Sequence, residues 1–121
     1  MTLRLTPEML ETLHDFLCTT PPFKKWKLPT SDEIKLVISG GHDYFAKYRW
    51  DGKQHVITVS DTAVGHTITL IETYSHELIH LHLEIKGQES RRGGPSCHNK
   101  YFRRFAAQVC RYHGFDPKAF Y

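Results

Sequence analysis

The segment that most restricts what this chain can fold into runs from about Thr67 to Gly87, where apolar residues stop alternating and begin to recur every three or four positions. Drawn as a helix at about 100° per residue, it puts Leu70, Tyr74, Leu78, Leu81 and Ile85 on one stripe, and His76 and His80 on a neighbouring face with Glu72, Thr73, Glu77 and Glu84. Thr69 and Glu72 have the spacing of a capping box, and Gly87 suits the left-handed stop.

Three short runs precede this helix. "EIKLVIS", "YFAKYRW" and "QHVITVS" are rich in β-branched and aromatic residues, with Gly40-Gly41 as a turn between the first two and Asp51-Gly52 as a hairpin signal between the second two. They predict a small, mainly antiparallel three-stranded sheet. Nearer the start, Thr6 and Pro7 open an amphipathic helix with apolar residues at Met9, Leu10, Leu13, Phe16 and Leu17, and Pro21-Pro22 stops it. "FKKWKLP" reads as a solvated basic loop with Trp26 tucked onto the core, because Lys24, Lys25 and Lys27 are few charges and no nucleic-acid module accompanies them. After the long helix, the loop "KGQESRRGGPS" leads to Ser96 as the cap of a last helix carrying Phe102, Phe105, Ala106 and Val109, which Gly114 closes.

The fold class expected is α+β, in one domain over 1–121. With 40% hydrophobic and 24% charged residues, a chain of this length buries a core without disulfides. Cys18, Cys97 and Cys110 are an odd number, and Met1 to Leu10 lack the pattern of a secretory signal, so reduced thiols and a cytoplasmic location are expected. No apolar run reaches the roughly 18 residues that cross a bilayer, and a net charge of +3 selects no partner.

The chemistry lies in "SHELIH". His76 and His80 are one helical turn apart, so their imidazoles can converge on one ion, with the Glu77 carboxylate beside them. This HExxH arrangement is that of zinc hydrolases. Shuffling a composition with nine histidines would produce it about 4% of the time, so context has to decide. A catalytic zinc site takes three protein ligands and leaves one position open. His82 points about 200° away from His80, and Glu84 lies too far along the same helix, so the third ligand comes from another segment. His98, after the Gly/Pro loop, is the best candidate, with Cys97 beside it as the alternative.

"SHELIH" followed at a distance by "CHNKYFRRF" resembles the SprT-like family of zincin metallopeptidases, in a minimal form without the C-terminal zinc ribbon. The layout of helix, three strands, HExxH helix and C-terminal helix is similar over nearly the whole chain. Cys97 and Asn99 stand where that family commonly has glycines. The resemblance implies a zincin-like fold, Zn2+ held by His76, His80 and His98, Glu77 as catalytic base, and Phe102 as the residue packed behind the third ligand. It implies hydrolysis of peptide bonds in protein or peptide substrates. Oxyanion donors could be Tyr101, Tyr112, His113 or an arginine of "SRR", and an edge strand could pair with an extended peptide. Two alternatives accompany this expectation: a non-catalytic zinc-binding module, and a nucleic-acid-associated protein with weak DNA association, suggested by "RRGG" and "FRRF". The other histidines, His14, His42, His55, His66 and His113, receive no role. His82 reads as a surface or core-edge residue, and Glu72 and Glu84 as solvated, with a lesser prospect that one of them orients an imidazole.

Overall fold

The first helix forms from signals that act within one turn. In the structure, a computed structural model that describes residues 4–64, 66–90 and 98–120, helix α1 spans Pro7–Leu17. Thr6 Oγ1 accepts the Met9 N–H at 3.2 Å, and Pro7 fixes the backbone of the first helical residue, where no N–H is needed. Leu10 and Leu17 are buried, whereas Phe16 is left exposed. The basic segment is not a plain loop: Phe23–Trp26 make one helical turn, α2, ended by Lys27 at a φ of 53°. Its lysines are exposed, and Trp26 packs on the core as expected.

The sheet departs from expectation in one respect. Strands β1 (Lys35–Ser39), β2 (Ala46–Trp50) and β3 (His55–Ser60) lie in the order β1-β3-β2. β2 and β3 form the antiparallel hairpin, with Trp50 opposite His55 and Ala46 opposite Val59. Asp51 Oδ1 accepts the N–H groups of Lys53 and Gln54, each at 2.8 Å, and Gly52 takes a φ of 96° that favours glycine. β1, however, runs parallel to β3, so the sheet is mixed rather than mainly antiparallel. The cause is the segment 40–45, which is no hairpin turn. It carries the chain over the end of β3, where the Ser60 N–H donates to the Phe45 carbonyl at 2.8 Å and Asp61 N–H to Ser39 at 2.9 Å. β3 thereby sits between two strands that are consecutive in sequence.

Leu36, Ile38, Ala46, Tyr48, Ile57 and Val59 share the sheet face that joins the core, and helix α3 (Thr67–Lys86) lies against it. The expected capping box does not form: α3 starts two residues before Thr69, and its cap, His66, makes no side-chain bond. Gly87 ends it at a φ of 70°, as predicted, with Gln88 N–H reaching back to Leu83 at 2.8 Å. Leu70, Tyr74, Leu78 and Leu81 are buried, but Ile85 is 50% exposed, on the rim of a pocket it lines with Trp50, His55 and Glu84. Ile79, His82 and Leu83 are buried too, so the middle of α3 is covered beyond its apolar stripe.

Helix α4 spans Lys100–His113 and is capped by Asn99, whose Oδ1 accepts the Phe102 N–H at 3.0 Å; Ser96, the expected cap, lies outside the described residues, as do Cys97, Arg91 and Arg92. Gly114 turns the chain into a short helix α5 (Pro117–Phe120), which sequence did not indicate. Cys18 and Cys110 are free thiols. Among the described residues no helix is long and apolar enough to cross a membrane.

Candidate metal centre

α3 brings His76 and His80 to one place by helical geometry, with ring centroids 5.2 Å apart. His98 reaches them from just before the Asn99 cap, its ring 4.8 Å from His76 and 5.4 Å from His80. Phe102, in the first turn of α4 and fully buried, lies against all three imidazoles and stacks on His98 at 4.3 Å. One nitrogen from each histidine falls within 4.8 Å of the others. His76, His80 and His98 are close enough to bind a metal ion.

Comparison with protein-family models and with curated proteins gives no match. The chemistry of the donors therefore carries the assignment. His76 Nδ1 meets the Phe120 carbonyl at 2.9 Å, and since a carbonyl only accepts, Nδ1 carries the proton and Nε2 is bare. His80 Nδ1 meets Glu89 Oε2 at 2.8 Å, which leaves its Nε2 for the shared space in the same way. The Nε2 atoms of His76 and His98 stand 3.1 Å apart. Two bare lone pairs at that distance repel, so the pair needs either a proton or a cation between them. Burial, only partly offset by the bond to Phe120, lowers the His76 pKa to about 3, and burial lowers that of His98 as well. Both rings are thus held neutral, the form that ligates.

Glu77 is 5% exposed, and its Oε2 lies 4.0 Å from His76 Nε2, beyond hydrogen-bond range. Burial raises its pKa to about 7, against the influence of His80 and with that of Glu89. A carboxyl group poised there exchanges protons near neutral pH. The cluster stands between two cavities. One, of about 550 Å³, is lined by all five residues of β2 and by Glu84, Glu89 and Ser90. The other, of about 660 Å³, is walled by Tyr44, Phe45, Glu72, Thr73 and Phe120. His76, Glu77 and His98 face both. The strand beside the cluster is β2, an edge of the sheet among the described residues.

Tyr101, Tyr112 and His113 line neither cavity. His113 instead meets Thr20 Oγ1 at 3.1 Å and stacks on Phe115. Tyr48 and Arg49 line the first cavity, with the Tyr48 hydroxyl 2.6 Å from His55 Nδ1. Among the described residues the carboxylate seen bonded to an imidazole of the cluster is Glu89, while Glu84 lines the first cavity and Glu72 the second. The only trace of Glu89 in the sequence is position: Gly87 ends α3 and the chain folds back, so an acid two residues later comes level with His80. His82 is not a surface residue. It is stacked on Trp26 at 4.3 Å and set edge-on to Phe105. His14 is likewise buried, between Tyr74 and Pro29.

Proposed function

We propose that this chain is a zinc-dependent metallopeptidase of the SprT-like, zincin-like kind, with His76, His80 and His98 as ligands and Glu77 as general base. The observation that carries this reading is the Glu77 carboxylate, buried next to three converging imidazoles and facing a cleft walled by an edge strand. A structural zinc site is closed by four protein ligands; among the described residues three histidines converge on an open cleft, which suits a reaction instead. Zinc is the ion that a neutral, all-imidazole donor set favours among common hydrolytic metals. When bound, it supplies Lewis acidity that makes a water acidic near pH 7 and polarises a carbonyl.

The chain's own groups supply the remaining steps. Glu77 takes the proton of the attacking water and gives it to the departing amine, so no covalent intermediate forms. An extended peptide lies in the cleft beside β2, an edge of the sheet among the described residues, and backbone hydrogen bonds hold the scissile bond beside Glu77 without strong sequence preference. Lys47, Tyr48, Arg49 and Trp50 are the side chains on that strand that line the cleft and can donate to an oxyanion.

Glu77→Gln tests this. It keeps the size of the side chain and all three imidazoles, so zinc content and melting temperature should match the wild type while cleavage of a flexible protein falls about 10²- to 10⁴-fold. Equal cleavage at equal zinc occupancy would rule out the assigned mechanism.

A further inference from the structure

His76 and His80 leave α3 side by side, yet their outer nitrogens are held by quite different parts of the chain. His80 is held by a carboxylate just past the helix stop. His76 is held by a main-chain carbonyl 44 residues away, at the end of α5. A main-chain acceptor can be directed only by fixing the backbone that carries it, and the Phe120 side chain performs that task. It is 4% exposed, stacks on Phe115 with centroids 5.7 Å apart, and lies 5.6 Å from the His76 ring. Asp116 braces the same turn: its carbonyl accepts from Ala119 at 3.0 Å and from Phe120 at 3.1 Å, and its Oδ1 accepts from Lys118 at 3.0 Å.

Building on the metal-site reading, we propose that Phe120 is a positioning residue for the metal centre: its buried ring anchors the carbonyl that holds the His76 Nδ1 proton and turns Nε2 toward His80 and His98. Without that anchor the His76 ring can rotate about its side-chain bonds and exchange tautomers, and the protein would have to reorder it each time an ion binds. Groups that orient a ligand in this way typically contribute 10- to 100-fold in metal affinity. The neutral carbonyl fixes the tautomer without adding charge to the site, whereas Glu89 also adds a negative charge next to His80.

The test compares full-length wild type, Phe120→Leu and Phe120→Ala, with Leu17→Ala as a core truncation in α1, away from the site. Long-range nitrogen–proton NMR on the metal-free proteins reads the His76 tautomer. Cobalt(II) titration against a chelating dye reads affinity, and the visible absorption of bound cobalt reads ligand geometry. The wild type should show His76 protonated on Nδ1 and bind one cobalt. Phe120→Ala should show mixed tautomers, cobalt binding weakened about 10- to 100-fold and an altered spectrum. Phe120→Leu, which keeps an apolar anchor and should fold, should fall between. Leu17→Ala should lower the melting temperature and leave tautomer and spectrum alone. If wild type binds cobalt and both Phe120 variants match it in tautomer and affinity, the positioning role is wrong and the metal site stands. If wild type binds no cobalt, the site assignment and this inference both fall.

Discussion

Two groups of histidines in this molecule have opposite fates. His14 and His82 are buried, as are His76 and His80 in large part, and His82 is only two residues from His80. What separates them is the use of the ring nitrogens. His14 has both engaged by the protein: Nε2 donates to the Pro29 carbonyl at 2.7 Å, and Nδ1 accepts from the Tyr74 hydroxyl at 2.9 Å. It ties α1 and the segment after α2 to α3. His82 is a flat packing piece between Trp26 and Phe105, and its buried Nδ1 has no hydrogen-bond partner among the described residues. His76 and His80 have one nitrogen engaged and one directed at a shared point. Burial alone therefore does not distinguish a ligand from a core histidine. Convergence of the second nitrogen does.

The largest test of that distinction is His98→Ala. On the proposed reading it should abolish stoichiometric zinc binding, while His82→Ala and Cys97→Ser keep about one zinc per chain by elemental analysis. Wild type should melt higher with zinc than with chelator, by about 4 kcal/mol of added stability when free zinc is 1,000 times its dissociation constant, and His98→Ala should lose that increment. Full zinc occupancy in His98→Ala would break the comparison outright. A smaller effect is expected at Glu89. Glu89→Gln keeps a hydrogen-bond acceptor next to His80 but removes the charge, so zinc affinity should drop about 10- to 100-fold, read by chelator competition. An unchanged affinity would mean that His80 needs no anionic partner.

The smallest effect concerns the packing histidines. Burial lowers the pKa of His14 and takes that of His82 to about 4, with Lys86 adding to the latter. Their folded pKa values thus lie below the unfolded value of about 6.5. The stability they contribute is fully present above pH 6.5 and is lost as pH falls from there toward 4, because the unfolded chain takes up protons that the folded one refuses. Chelated protein should lose up to about 1.4 kcal/mol per pH unit for each such histidine, His76 included. His82→Phe keeps the stack on Trp26 and removes one titrating group, so its melting temperature should fall less steeply between pH 6.5 and 4.5 than that of wild type. Parallel pH profiles would show that His82 does not resist protonation in the folded protein.

What the sequence disclosed, and what it hid, divides by range of interaction. Thr6 and Pro7, the Asp51-Gly52 turn and the Gly87 and Gly114 stops act within a few residues, and each appears in the structure where it was read. The convergence of His98 on His76 and His80 was legible because helix geometry fixes two of the three and excludes their near neighbours. The parallel pairing of β1 was not, since nothing in β1 records that β3 will slide between it and β2. Of the two readings of His82, surface or core edge, the structure shows a buried packing residue, and the sequence does not choose between them because the ring that covers it, Trp26, lies 56 positions earlier. Ile85 shows the converse: its helical phase is apolar, but it lies at the rim of a pocket with Trp50 and His55 and stays half exposed. Glu89 and Phe120 act on the imidazoles through chain reversals, and a composition-based reading has no term for either.

One feature of the sheet reaches beyond the chemistry. Among the described residues β2 is an edge of the sheet beside the cleft, and an edge strand is a template for a second copy of the protein as much as for any peptide. Its alternate positions hold Lys47 and Arg49, exposed and of like charge. Two such strands brought edge to edge would set cations against cations, so like charge at these positions works against self-association and aggregation.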